Sequence, residues 1–311
     1  VLLWHANVPG VSGGYVGVDV FFVISGFLMT RIIVTEIVGT RRIDLPAFYL
    51  RRARRLFPAA AVALLGAAVI TVALLPTTRW RDIAGDVAAS AVYVVNWRLA
   101  EGSVDYLAAD DAPSPLQHFW SLAVEEQFYL VWPLLLAAAL AVGVRGRHRR
   151  PRGHAAAAWA AGGVLVASLA WSAWLTHTDP GPAYFVTTTR LWELALGGLV
   201  AAAWPRWSAR ACGPRTAGGL VLVGLAAIFA SAVLYNSTTP FPGVAALLPT
   251  LGTATVLLGG PFLTPGGMTE RLLDLRPVLW VGGLSYSLYL WHWPLLVGAA
   301  AVIGQPSVPW T

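Results

Sequence analysis

Lysine is absent from this sequence: all 21 basic residues are arginine. Cysteine occurs once, at Cys212, which excludes an internal disulfide and a cysteine-based metal site. Charged residues make up only 12% of the chain, roughly half of what a soluble globule of this size carries. The glycine-rich phosphate loop is missing, and so is the GxSxG elbow of the soluble hydrolases. The six histidines show no metal-site spacing. No internal repeat or long linker is visible, so one domain is expected over residues 1–311.

What remains is apolar: 57% of the 311 residues are hydrophobic. Several runs approach the ~20 residues needed to cross a bilayer. The expected fold is an all-α polytopic transmembrane bundle of about nine to ten helices. Candidate spans are the outer end of a first helix (1–9), then 17–38, 56–75, 118–142, 155–175, 190–204, 217–235, 244–263 and 278–303. Residues 82–100 are apolar only in their middle and are expected to lie on the outer surface. With that assignment, 16 of the 21 arginines fall on one face, in 41–55, in the 145–152 run, at Arg206, Arg210 and Arg215, and at Arg271 and Arg276. That face is expected to be cytoplasmic. The opposite face receives Arg79, Arg81, Arg98 and Arg190 with Asp82, Asp86, Glu101, Asp105, Asp110, Asp111 and Asp179. The net charge of +6 is therefore topological and does not point to nucleic acid. Arginine without lysine, in a chain rich in Ala, Gly, Val and Trp, suggests a GC-rich bacterial genome. A bacterial cytoplasmic (inner) membrane is the expected location. Too few apolar residues precede His5 to span, so the sequence is expected to begin inside a helix.

Some polar residues stand out against this background. A carboxylate in hydrocarbon costs at least ~2.5–3.5 kcal/mol, so Glu125 and Glu126 in HFWSLAVEEQFYLVWP ask for a reason. On an ideal helix His118, Ser121, Glu125, Tyr129 and Trp132 share one stripe, with Glu126 about a quarter turn away. Glu125 thus has polar neighbours that could hold it in a cavity; two interfacial glutamates are the bland alternative. His5 precedes a glycine-rich turn, and Asp19 opens the next helix. A histidine can take a proton from a hydroxyl, and a nearby carboxylate can orient it; a lone histidine near a helix end also reads as an interfacial polar residue. Asp19 also suits a helix N-terminus without any catalytic role. Arg51, Arg52, Arg54 and Arg55 could bind phosphate, or serve as positive-inside anchors. Ser285, Tyr289 and His292 share a helical face, for packing or for chemistry. Arg190 and Glu193 could form a self-neutralising pair. His148 and His154 read as solvated, beside a basic loop.

Four blocks, GGYVGVDVFFVISGFLMT, FYLRRARRLFP, SPLQHFWSLAVEEQFYLVWP and LSYSLYLWHWP, together resemble the acyltransferase-3 family of integral membrane O-acyltransferases. They stand in family order over essentially the whole chain, and are most similar to the envelope-glycan branch, often fused to an extracytoplasmic SGNH domain. The resemblance implies a bundle of about ten helices. It also implies acyl transfer, commonly acetyl, from cytoplasmic acyl-CoA to an extracytoplasmic sugar hydroxyl, with no permanently bound cofactor. By position, His5 matches the first-helix catalytic histidine and Asp19 the acid of GVDVFF. Arg52 and Arg55 match the RxxR pair, and Glu125 the first acid of VEEQFYL. The family's first-helix arginine would precede Val1, and a tenth helix and any SGNH domain would follow Thr311.

The mechanism this suggests puts acyl-CoA phosphates on Arg52 and Arg55, helped by Arg51 and Arg54. His5 is the general base on the acceptor hydroxyl, or takes the acyl group itself. Asp19 or Glu125 orients its imidazole, and Ser121, Tyr129, Arg190, Glu193, Ser285, Tyr289 and His292 support the site or bind substrate. The partners are then the lipid bilayer, acyl-CoA and a cell-envelope glycan. The rival functions are a transporter or flippase for a glycan or lipid-linked substrate, and a non-catalytic scaffold. Paired broken helices in two symmetric halves, the cue for a transporter, are not evident.

Overall fold

Hydrocarbon offers no partner for a peptide group, so a spanning segment must bond its backbone internally, and the apolar runs become helices. The computed structural model describes residues 1–40, 43–103, 113–144, 153–209 and 213–303, with backbone only for 140–144. Arg41, Arg42, the 145–152 run with His148, Arg210, Cys212, Asp105, Asp110 and Asp111 lie outside the described residues. Among the described residues there is no strand. The α-helices are α1 (Leu2–His5), α2 (Gly17–Thr40), α3 (Leu45–Leu74), α4 (Trp80–Ala91), α5 (Val95–Gly102), α6 (Phe119–Val144), α7 (Gly153–Thr178), α8 (Pro180–Phe185), α9 (Leu191–Ser208), α10 (Pro214–Leu234), α11 (Leu247–Gly259), α12 (Met268–Leu273) and α13 (Arg276–Ile303). Six described segments are long and apolar enough to cross a membrane: Gly14–Thr40, Leu45–Leu74, Phe119–Ala139, Gly153–Thr178, Pro214–Leu234 and Arg276–Ile303. The shorter α9 and α11 pack among them.

The third helix begins at Leu45 instead of the expected 56. Asp44 Oδ1 accepts from Ala47 N (2.9 Å) as an N-cap, and Pro46 sits in the first turn, so the arginines of 51–55 are helical. Residues 82–100 form two short helices, broken where Tyr93 takes φ +56°. Neither α4 nor α5 is long enough to span, and Arg98 Nε ties them together through Asp86 Oδ1 at 2.8 Å. Of the proline- and glycine-rich strings expected as loops, HTDPGP (177–182) contributes to α8, and LTPGGM (263–268) ends at the first residue of α12. His154, expected to be solvated, is half-buried in the first turn of α7.

The bundle is inverted relative to a soluble protein. Leu65, Val69, Phe229 and Leu234 are each more than half exposed on its outside, while Asp19, Arg190 and Glu193 are fully buried. Helices α2 and α9 meet backbone to backbone. A Cβ at Gly26 would strike the Leu194 carbonyl, and one at Gly197 the Val23 carbonyl. Trp132 of α6 reinforces this centre by donating from Nε1 to Thr30 Oγ1 at 2.8 Å.

Candidate active site

At the end of the bundle where α2 begins and α7 ends lies a cavity of about 890 Å³. Its walls come from α1, the start of α2, residues 117–120, the end of α7, α8 and the 236–244 segment. Trp4, Tyr15, Trp120, Tyr184 and Phe241 give it an aromatic lining, and Gln117 and Asn236 to Thr239 a polar rim. Burial pushes the Tyr184 phenol above its ordinary pKa, so it stays a neutral hydroxyl.

His5 and His118 line this vestibule. His5, the last residue of α1, is buried, and its Nδ1 lies 2.8 Å from Nε2 of His292 on α13. The two rings stack at 5.0 Å. His292 Nδ1 faces the Tyr289 carbonyl oxygen at 2.7 Å and that of Leu288 at 3.2 Å. A carbonyl only accepts, so His292 Nδ1 donates. With both rings neutral, His292 Nε2 keeps its lone pair and accepts from His5 Nδ1–H, which places the His5 lone pair on Nε2. His118 stands one residue before α6, its ring 5.4 Å from that of His292. Its Nε2 donates to the Leu290 carbonyl at 3.1 Å. The Tyr289 hydroxyl joins the cluster, donating to the His118 carbonyl (2.9 Å) and meeting Ser121 Oγ at 2.5 Å. Although three histidine rings converge, no group of three or more His, Cys, Asp or Glu among the described residues could hold a metal ion.

Seven residues on, roughly 10 Å further along α6, Glu125 accepts from the hydroxyls of Ser25 and Tyr129. Arg52 reaches into this pocket from α3. Its guanidinium lies 3.0 Å from the Tyr129 ring centroid, and its NH2 is 3.0 Å from Glu126 Oε1 and 3.6 Å from Glu125 Oε1. Two residues at this site, Ser25 and Glu126, escape a reading by helical stripe alone. Glu126 lies off the Glu125 face, and Ser25 sits on another helix; a hydroxyl inside the apolar run VISGF was the available signal. Arg51, Arg54 and Arg55 are exposed, and Arg51 approaches Glu36 loosely at 3.8 Å.

The remaining candidates divide. Asp19 is not held by His5: its Oδ1 accepts from Arg190 NH1 at 2.9 Å, and Oδ2 makes no hydrogen bond. The same NH1 donates to Glu193 Oε1 at 3.0 Å, so one guanidinium nitrogen bridges two carboxylates from α2 and α9. The rings of Trp120, Tyr184 and Phe241 surround the Arg190 guanidinium at 5.0–5.2 Å, which sets this triad just behind the vestibule wall. Ser285 lies apart, exposed, with its hydroxyl donating to the Gly282 carbonyl of its own helix.

The sequence family described as an acyltransferase domain, acyltransferase-3, matches residues 1–311. The chain belongs to the acyltransferase-3 family. It is 30% identical over 327 residues to the peptidoglycan O-acetyltransferase OatA of Listeria monocytogenes, covering 99% of this chain and 49% of that protein. It is 32% identical over 314 residues to the putative peptidoglycan O-acetyltransferase YrhL of Bacillus subtilis, covering 98% and 48%. It is also 32% identical over 317 residues to the O-acetyltransferase OatA of Staphylococcus aureus, covering 99% and 50%. This acyltransferase-3 chain therefore spans about half the length of these relatives. No solved structure matches it. Apolar spans and family together make it a multi-pass membrane protein.

Proposed function

We propose that this domain transfers an acetyl group from acetyl-CoA to a hydroxyl of a cell-envelope glycan, across the bacterial cytoplasmic membrane. The observation that carries this reading is the contact of His292 with His5, which lines the vestibule. His5 Nε2 takes the proton of the acceptor hydroxyl as its oxygen attacks the thioester carbonyl carbon. The carbon–sulfur bond breaks, and the departing thiolate takes that proton back from His5. The positive charge that forms on His5 in between is stabilised through Nδ1 by His292 Nε2 and the carbonyls behind it. The exposed Arg51, Arg54 and Arg55 suit the donor phosphates. Arg52, held by Glu125 and Glu126, forms the inner wall of the donor end, and Ser121 and Tyr289 lie between the two ends. Asp19, Arg190 and Glu193 hold α2 and α9 together behind the vestibule. The relatives' names favour a peptidoglycan-like acceptor, and the aromatic and hydroxyl-rich walls of the vestibule suit sugar rings.

Sidedness tests this reading. In proteoliposomes of one orientation, acetyl-CoA is supplied only at the arginine-rich face and glycan only at the vestibule face. Acetylated glycan is the expected product. Transfer that requires both substrates on one side sinks the transmembrane route, and partner binding or glycan movement without acylation favours a scaffold or a transporter.

A further inference from the structure

We infer that Tyr93 is a further donor-binding residue, its hydroxyl hydrogen-bonding an amide of the pantetheine arm of acyl-CoA where the arm passes Arg52. This rests on the donor entering at the arginine-rich face, as proposed above. Residues 82–100, expected on the outer surface, turn back into the bundle instead. Helix α4 begins at Trp80, soon after α3 ends at Leu74, and runs back along it until the Tyr93 ring stacks on Phe57 of α3 at 5.8 Å. Phe57 lies roughly 25 Å along α3 from Leu74, well inside the Leu45–Leu74 span. The hairpin tip therefore sits at a depth where a backbone turn occurs only against protein or a polar path.

That turn is built around a tyrosine where glycine would be easier. Tyr93 N donates to the Ser90 carbonyl (3.1 Å) and Val94 N to the Ala89 carbonyl (2.8 Å), the pattern that closes a helix with a left-handed residue. Tyr93 holds this place at φ +56°, which is strained for a residue with a Cβ and is ordinarily left to glycine. Gln127 of α6 fixes the turn by donating from Nε2 to the Tyr93 carbonyl at 2.8 Å. The side chain so placed faces the Arg52 pocket, where its hydroxyl interacts electrostatically with Glu126, Arg52, Glu125 and Tyr286. The hydroxyl makes no hydrogen bond to a described residue, and unlike His118 Nδ1 or Asp19 Oδ2 it is not sealed off. Arg52, Glu126 and Tyr286 around it are only partly buried as well, so a ligand can reach the spot. A polar group left open inside a span marks a substrate path.

The class of ligand follows from what is already paired. Arg52 is occupied by two carboxylates, so the group free to bind is a neutral hydroxyl, which suits an amide better than a phosphate. The exposed Arg54 stands three residues before Phe57 on the same helix face, within reach of the phosphates that precede the arm. The Phe57 and Tyr93 rings give the methylenes of the arm an apolar wall.

Tyr93→Phe keeps the ring and its stacking and removes only the hydroxyl. Affinity of the detergent-solubilised full chain would be measured for coenzyme A and for adenosine 3′,5′-bisphosphate, which lacks the arm, alongside thermal unfolding. The expected result is a dissociation constant for coenzyme A raised about five-fold or more, with bisphosphate affinity and unfolding temperature unchanged. In protein labelled with 13Cζ-tyrosine, the resonance missing from Tyr93→Phe should shift on adding coenzyme A to wild type, and stay in place with the bisphosphate. Equal coenzyme A affinity in the two proteins, an equal loss for both probes, or an unmoved resonance would each overturn the proposal. The donor reading fails in a different way. If wild type binds neither probe, that reading falls and Tyr93 with it; coenzyme A binding that ignores Tyr93→Phe overturns the Tyr93 contact alone.

Discussion

His292 holds its Nε2 2.8 Å from Nδ1 of His5, 287 residues earlier in the chain, and so occupies the place where a carboxylate was expected. A neutral imidazole there can fix the tautomer of His5, although it stabilises the His5 cation less than an anion would. If tautomer control is its role, an acceptor at that nitrogen should suffice. His292→Gln puts an amide carbonyl near the old Nε2 and should keep most activity, whereas His292→Leu should lower kcat by about 10²-fold. Initial-rate kinetics on the reconstituted protein decide this, and equal losses in both variants would argue for packing alone.

Arg52 answers two carboxylates at once. Removing it leaves Glu125 and Glu126 facing each other in a largely buried pocket, so Arg52→Ala should destabilise the protein by about 3–5 kcal/mol. Adding Glu126→Gln to that variant should recover part of the loss, because one of the stranded charges disappears. A double-mutant cycle on detergent thermal unfolding reads the coupling, and strict additivity would show that the pair is incidental.

The Arg190 bridge makes a parallel case in a drier place. Arg190→Met should unfold or fail to accumulate, since it strands Asp19 and Glu193 together with no cation. The triple variant Arg190→Met, Asp19→Asn, Glu193→Gln should recover much of the lost membrane-inserted protein. Quantitative immunoblotting of membranes tests both; full accumulation of the single variant would mean the triad is dispensable.

Close approach of α2 to α9 predicts a different sensitivity. Gly197→Ala forces a methyl against the Val23 carbonyl oxygen and the Phe27 amide, and should cost about 1–3 kcal/mol. Gly162→Ala on α7, where a Cβ meets nothing within 4 Å, should be close to neutral. Thermal unfolding of the two variants side by side makes the comparison.

Sequence periodicity captures whatever is local. The α6 stripe of His118, Ser121, Glu125, Tyr129 and Trp132 is buried along its whole length, because a polar set at steps of three and four inside an apolar run leaves one face for the interior. The Arg190–Glu193 pair was legible for the same reason. Residues brought together from distant helices were not: His292 beside His5, Ser25 beside Glu125, and Asp19 as the third member of the Arg190 cluster have no trace in spacing. Helix ends were hidden where capping overruled hydropathy, as at Asp44, and where proline began a short helix that a loop reading masks, as at Pro180. That last omission mattered most for the site, since α8 supplies Tyr184 to the vestibule wall.

The most direct measurement is release of ester-linked acetate from envelope glycans of cells carrying wild type or His5→Ala at matched membrane levels. A fall of about 10²-fold or more in His5→Ala, with the protein still folded, is the expected result for a general base. Wild-type acetate release from His5→Ala would contradict the central assignment and move the chemistry away from the vestibule.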